Sequence, residues 1–227
     1  MLPPHELVAL LDEHAPFTPC ALVPALSAWH TDDEVPLWRA LEQRCGHAVD
    51  VPYFAIAWPA AQVLARALLD GRLDVRGRRV ADVGCGSGLV ACAAMKAGTA
   101  SALALDVDVI AVAAASALAS RHRVAVVARA LDPLAAPDAV IADVIICADL
   151  VSREAQRAPF AAAVASWRAA GADVVLADSG RPFFDPQGLP LAFTERVAVS
   201  SRVDGEGART VRVYRAAPMR GGSREPG

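Results

Sequence analysis

The sequence lacks paired cysteines, which argues against a domain built on disulfides or on zinc. Its five cysteines are odd in number and widely spaced, and no C-x-x-C pair or cysteine–histidine cluster has the spacing of a zinc site. We therefore expect reduced thiols in a cytoplasmic protein, with no metal site.

An excess of basic charge and a long hydrophobic run are also missing. The 22 Lys and Arg residues are outnumbered by 25 Asp and Glu residues, for a net charge of -3, so nothing indicates specific nucleic-acid binding. The uncharged stretch in the middle of the chain at residues 109–120 is too short to cross a bilayer. The N-terminus has no basic segment followed by an apolar one, so we expect no signal peptide and no membrane contact. The oligomeric state is left open.

What the sequence does contain is a regular alternation of strand and helix patterns. From residue 79 onward, runs of Val, Ile, Leu and Ala alternate with helical segments, which is typical of a parallel sheet buried on both faces. Five such strands and a final hairpin predict an α/β, Rossmann-like, seven-stranded and mostly parallel sheet. It would have a C-terminal antiparallel hairpin and an N-terminal helical extension. We place the extension at 1–50, the main domain at 51–217 and a disordered tail at 218–227.

A glycine-rich loop, "DVGCGSG" at 82–88, follows the first of these strands. Gly84, Gly86 and Gly88 lie where open α/β folds bind ligands, and the missing side chains let a ligand approach the backbone. The spacing is not that of a Walker loop. The third glycine also comes one residue too early for the dinucleotide fingerprint.

Two carboxylates beside the loop favour S-adenosylmethionine as the cofactor. Asp106 ends the next strand, 18 residues beyond Gly88, where its carboxylate can accept both ribose hydroxyls. Asp82 precedes the glycines and can organise the loop or reach the ammonium of the methionine moiety, a group that a dinucleotide lacks. A dinucleotide oxidoreductase remains an alternative.

The loop resembles motif I of class I S-adenosylmethionine-dependent methyltransferases, and the resemblance covers about residues 50–215. "VPYFAIAWPAAQVLARALLD" is similar to "PYWAxxWPGGQxLARYLLD" of the family of electron-transfer flavoprotein β-subunit lysine methyltransferases. The bacterial relatives of that family also resemble ribosomal protein L11 methyltransferases. "ALDVDVIA" and "ADSGR" correspond to the family's "xxDIDPxA" and "GDPGR". The resemblance implies cofactor contacts from Trp58, Gln62, Asp82, Gly84, Gly86, Gly88 and Asp106.

The substrate side of the resemblance centres on Asp149, which ends the fourth strand. Class I methyltransferases place a substrate-facing motif there, and a carboxylate at this point could hold a lysine ammonium and help it lose a proton. The family's aromatic residue three positions later is Ser152 here. The resemblance implies a methyltransferase acting on a protein side chain, lysine. A small-molecule N-methyltransferase and a non-catalytic cofactor-binding module are the alternatives.

Five further residues are candidates for the same site. Tyr53 and Phe54 could form an aromatic pocket for the methyl acceptor through cation–π contact, or could anchor the N-terminal helix. Asp178 and Arg181, after the fifth strand, could contact substrate or form a structural ion pair. Asp132, after the third strand, could bond the adenine amino group or end a plain turn.

Overall fold

The structure, a computed structural model, describes residues 2–201 and 205–216. In that part of the chain the strands are β1 (Phe17–Pro19), β2 (Ser27–Trp29), β3 (Arg79–Val83), β4 (Ser101–Asp106), β5 (Val126–Ala130), β6 (Val144–Ala148), β7 (Asp173–Asp178), β8 (Leu191–Ser201) and β9 (Gly205–Ala216). The helices are α1 (Pro4–His14), α2 (Val35–Cys45), α3 (Pro59–Leu69), α4 (Leu89–Lys96), α5 (Val109–His122) and α6 (Arg157–Ala169). Short 3-10 turns lie at Tyr53–Ala55, Pro137–Ala139 and Glu154–Gln156.

Seven strands form one sheet in the order β5-β4-β3-β6-β7-β9-β8. The first five of these are parallel, whereas β9 runs antiparallel to both β7 and β8. The predicted fold class and its C-terminal hairpin are therefore confirmed. The chain leaves β3 toward β4 and later returns on the other side of β3 at β6, so the sheet has its switch point at the end of β3.

Alternate residues of each central strand face opposite sides of the sheet, and both sides are buried. On one side Val80 and Ile146 pack in the cluster that contains α3, α4 and α5; on the other, Ala81 and Ile145 pack against Phe160 and its neighbours on α6. Burial on both faces explains why these strands are nearly continuous apolar runs.

Local signals account for the helices that border the site. Pro59 is the first residue of α3, where a missing N–H costs nothing. Pro159 lies in the first turn of α6 and is tolerated there for the same reason. The side chain of Asp108 accepts a hydrogen bond from the Ile110 N–H and caps α5.

The N-terminal segment contains more than the helices predicted for it. Between α1 and α2, the strands β1 and β2 form a separate antiparallel pair, which three-residue strands are too short to reveal by alternation. Trp29 of β2 is fully buried, and its Nε1–H donates to Asp12 of α1 at 2.8 Å. This segment belongs to the same apolar cluster as α3 to α5. The domain boundaries stay predictions, and the predicted tail at 218–227 lies outside the described residues.

No helix in the described ranges combines the length and the apolar character needed to cross a membrane.

Candidate active site

Three glycines in the loop between β3 and α4 have left-handed backbone. Gly84, Gly86 and Gly88 have φ values of 68°, 51° and 82°. A Cβ on Gly88 would lie 2.9 Å from the Ala115 Cβ on α5, and one on Gly84 would overlap the end of the Leu150 side chain. The loop thus needs glycine for its conformation and for its close contacts with the elements around it.

Asp82 holds the first turn of α4 from beneath the loop. Its carboxylate is buried, and Oδ2 accepts a hydrogen bond from the Ala91 N–H at 3.0 Å. Burial raises the pKa of the Asp82 carboxyl from an ordinary 3.8 to about 7. Of the two roles expected for this residue, the geometry favours organising the loop.

Asp106 bonds the glycine loop to the end of β4. Its Oδ2 accepts from the Gly86 N–H at 2.9 Å, and Oδ1 accepts from the Asp108 N–H at 3.0 Å. The residue is only half-buried. A carboxylate has about four lone-pair positions, so each oxygen can still accept a hydroxyl from a ligand.

Asp149 follows β6 at the same edge of the sheet, and its side chain is turned inward. Its φ is 48°, and its carboxylate is only 3% exposed. Oδ1 accepts from both the N–H and the Oγ of Ser179, each at 2.8 Å, and Oδ2 accepts from the Ala60 N–H at 3.4 Å. Burial raises the pKa of Asp149, and the nearby Arg181 guanidinium acts against that rise.

Arg181 connects Asp149 to the aromatic segment before α3. Its Nε lies 3.6 Å from Asp149 Oδ1, and its guanidinium carbon lies 4.6 Å from the centroid of the Trp58 ring. The Trp58 Nε1–H donates to the Tyr53 carbonyl at 3.0 Å, and the Tyr53 ring is centred 6.0 Å from the Trp58 ring. Tyr53, Trp58, Asp149 and Arg181 are therefore brought together, as the sequence suggested.

Asp178 ends β7 and closes the turn that carries Arg181. Its Oδ1 accepts from the N–H groups of Gly180 and Arg181, at 2.6 and 2.9 Å. Its Oδ2 is buried and has no hydrogen-bond partner among the described residues. Burial raises the pKa of Asp178 to about 6, and the Asp149 carboxylate adds to the rise. Asp178 thus anchors the turn through Oδ1, and its Oδ2 makes no hydrogen bond to the described residues.

Phe54 and Gln62 are both buried. Phe54 is 4% exposed and lies in the apolar core, because the 3-10 turn exposes Tyr53 and directs the next side chain inward. The Gln62 amide accepts from the Leu22 N–H at 3.1 Å and donates to the Ala57 carbonyl at 2.7 Å. Its polar ends are committed to the backbone of two other segments, so they tie the N-terminal segment to α3. The acceptor contact of Phe54 and the cofactor contact of Gln62 stay predictions, and the burial of Phe54 is what its alternative role as an anchor of the N-terminal segment requires.

Asp132 is exposed after β5 and ends a turn. Its Oδ1 accepts from the N–H groups of Leu134 and Ala135, at 2.9 and 3.1 Å. This is the plain turn weighed as the alternative to an adenine contact, and the exposed carboxylate remains accessible to a ligand.

Sequence reasoning missed Ser179 and Leu150. Ser179 supplies two hydrogen bonds to Asp149, and Leu150 fills the space beside Gly84. Both directly follow residues at strand ends on the binding edge, and this position is the signal that could have identified them. Within the described residues no group of three or more His, Cys, Asp or Glu could hold a metal ion.

A sheet in this order, with a carboxylate-flanked glycine loop at its switch point, has the fold of class I S-adenosylmethionine-dependent methyltransferases. The chain is similar to the T. thermophilus 16S rRNA N2 G1207 methyltransferase (RsmC), solved in complex with AdoMet and guanosine. The TM-score is 0.51 at 19% sequence identity, over 72% of this chain and 44% of that chain. At this identity the likeness concerns the fold alone.

Residues 63–155 match the family model described as ribosomal protein L11 methyltransferase (PrmA). The electron transfer flavoprotein beta subunit lysine methyltransferase of Xenopus laevis is 55% identical over 47 residues, 21% of this chain and 19% of that protein. The protein of the same name from Homo sapiens is 35% identical over 94 residues, 41% of this chain and 35% of that protein. The resemblance predicted from the motifs is confirmed, over segments that span well under half of those relatives.

Proposed function

We propose that the protein is an S-adenosylmethionine-dependent methyltransferase that modifies a lysine side chain of another protein. The observation that carries the proposal is the loop of left-handed glycines at the switch point, with Asp82 beneath it and Asp106 beside it. The names of the similar proteins support the reaction, and the lysine methyltransferases among them support the acceptor.

The residues at the loop fit the cofactor. The loop presents backbone rather than side chains at Gly84 and Gly86, next to the positive end of α4, which suits the carboxylate of a methionine moiety. Asp106 has acceptor capacity left on both oxygens for the ribose hydroxyls. Asp132, exposed beyond the next strand, is placed to accept from the adenine amino group, and Trp58 would border the cofactor from the opposite side.

When bound, S-adenosylmethionine supplies a methyl group made electrophilic by its sulfonium. The acceptor amine must be neutral and in line with that methyl, so positioning and exclusion of water are the main tasks of the protein. Tyr53 and Trp58 offer an aromatic wall, and Arg181 contacts both the Trp58 ring and the Asp149 carboxylate. We assign to Asp149 the orientation of the incoming nitrogen.

A labelled-cofactor assay tests the proposal. Purified protein is incubated with methyl-labelled S-adenosylmethionine and a cell lysate, and label is counted separately in protein, RNA and small molecules. We expect label in a protein band, on lysine by mass spectrometry, and none with the Asp106→Ala variant. Label confined to RNA or to small molecules would show a different acceptor. Binding of S-adenosylmethionine without transfer of its methyl group would identify a non-catalytic cofactor-binding module. Binding of NAD in preference to S-adenosylmethionine would overturn the proposed cofactor.

We also propose that the protein acts in the cytoplasm. All five cysteines are free, and Cys20, Cys85, Cys92 and Cys147 are buried. Free buried thiols suit a reducing compartment. Fractionation of cells that express a tagged chain tests this location.

A further inference from the structure

Arg181 lies between two groups that together resemble a binding site for a cation. One is the face of the Trp58 ring, 4.6 Å from the guanidinium carbon, and the other is the carboxylate of Asp149, 3.6 Å from Nε. The Arg181 side chain is 20% exposed, so its charged end is largely withdrawn from water. An aromatic face and a buried carboxylate are the two features that attract an organic cation most strongly.

The two groups are held independently of Arg181. Asp149 is oriented by Ser179 and by the Ala60 N–H, and Trp58 by its hydrogen bond to the Tyr53 carbonyl. Because these bonds come from other residues, the pair can persist when the guanidinium moves away. The position between them would then be open to another cation.

The turn that carries Arg181 is held through its backbone. Asp178, at the end of β7, accepts from the Gly180 and Arg181 N–H groups and makes no bond to the guanidinium in these contacts. A rotation of the Arg181 side chain therefore need not disturb β7.

We infer that Arg181 is a built-in occupant of the acceptor site: its guanidinium fills, between Trp58 and Asp149, the position that the side-chain nitrogen of the substrate takes. A substrate must displace this guanidinium before its own nitrogen can contact both groups. Arg181 thus determines specificity by competition, because only a substrate anchored elsewhere on the protein can hold its amine there long enough to replace a tethered cation. The inference rests on the proposed function only for the identity of the substrate as an amine.

Binding of a small cation to the vacated position tests this directly and needs neither cofactor nor methyl transfer. The Arg181→Ala variant and the unaltered protein are titrated with n-butylammonium, which mimics a lysine side chain, and with n-butanol as its neutral counterpart. The Trp58 indole N–H resonance, assigned with Trp58→Phe, reports binding. We expect n-butylammonium to bind the variant about tenfold more tightly than the unaltered protein, a loss of that gain on adding Asp149→Asn, and no comparable gain for n-butanol.

Arg72→Ala is the matched control. Arg72, which follows α3, also lies over an aromatic ring, 3.8 Å from the Phe193 centroid, and pairs with Glu195 at 3.2 Å, but its side chain is 42% exposed. Its removal should leave both the Trp58 resonance and butylammonium binding unchanged. Arg181→Gln, which removes the charge but keeps a long polar side chain, serves as the second variant if Arg181→Ala does not fold.

Two results would overturn the inference. One is equal affinity for n-butylammonium in folded Arg181 variants and in the unaltered protein. The other is a gain for n-butanol as large as that for the cation, which would show an apolar void and not a cation site. A protein that transfers no methyl group but shows the expected cation binding would contradict the proposed function and leave the role of Arg181 intact.

Discussion

The two halves of the binding edge are built in different ways. At the ends of β3 and β4, Asp82 and Asp106 accept from backbone N–H groups 9 and 20 residues away in sequence. At the end of β6, Asp149 accepts from groups 30 and 89 residues away and also faces a cation from its own chain. The cofactor half is thus held together by hydrogen bonds within one short segment, residues 82–108. The acceptor half depends on distant segments, and its Asp149 carboxylate is already paired with Arg181.

Among the changes that test this difference, removing the Asp106 carboxylate should have the largest effect, and it should act on cofactor affinity. Asp106→Ala would remove the two hydrogen bonds that the ribose hydroxyls are proposed to donate to this carboxylate, and it would free the Gly86 N–H. We therefore expect cofactor affinity to fall by on the order of 100- to 1000-fold. Calorimetry with S-adenosylmethionine measures the loss. Asp106→Asn keeps one acceptor oxygen, so its affinity for S-adenosylmethionine should lie between those of the unaltered protein and of Asp106→Ala. Unchanged affinity in Asp106→Ala would disprove the ribose contact.

The rigidity of the cofactor half can be broken at Gly88. An alanine there would adopt a left-handed backbone and would also press on Ala115, so we expect Gly88→Ala to lower the free energy of unfolding by about 2–4 kcal/mol. Denaturant unfolding measures the change. Gly46 has a φ of 73°, and a Cβ there would have no atom within 4 Å. Gly46→Ala should therefore lose only the part of that stability that comes from the left-handed backbone. Because Ala115→Gly is itself costly inside α5, the double variant Gly88→Ala/Ala115→Gly should lose less stability than the sum of the two single variants. Strict additivity would show that Ala115 is not the obstacle.

A smaller effect concerns the pH dependence of stability, to which a buried carboxyl contributes in each half: Asp82 in the cofactor half and Asp178 in the acceptor half. The folded Asp178 carboxyl, with a pKa of about 6, keeps its proton up to a higher pH than the unfolded one, whose ordinary pKa is 3.8. The folded state is therefore favoured at low pH, and this stability is lost as the pH rises from about 4 through 6. Asp178→Asn should remove this loss, on the order of 1–3 kcal/mol, when unfolding at pH 4 is compared with pH 7.5.

Asp132→Asn is the control for that comparison. Asp132 makes the same kind of turn, accepting from two N–H groups through Oδ1, but on an exposed carboxyl. Its replacement shows how much of any change comes from altering a turn carboxylate as such, apart from its burial. Identical pH profiles for Asp178→Asn and the unaltered protein would contradict a raised pKa at Asp178.

The orientation of individual side chains was harder to predict than the elements that carry them. The order of strands and helices follows from periodicity and from residues such as Pro59 and Asp108, whose effects act within a turn or two. Phe54 and Gln62 were expected at the site because of their position before and within α3. Their actual directions are decided by the core and by the Leu22 N–H, 40 residues away from Gln62.

By itself the sequence determined the parallel sheet, its closing hairpin and a glycine loop between two carboxylates. Each of these depends on interactions within a short stretch of chain or between adjacent strands. Only the tertiary structure decided which side chains meet at the proposed acceptor site and that Arg181 contacts both Trp58 and Asp149 there. Three separate segments meet there, and the local periodicity of a sequence carries no record of which distant groups come into contact when the sheet is assembled.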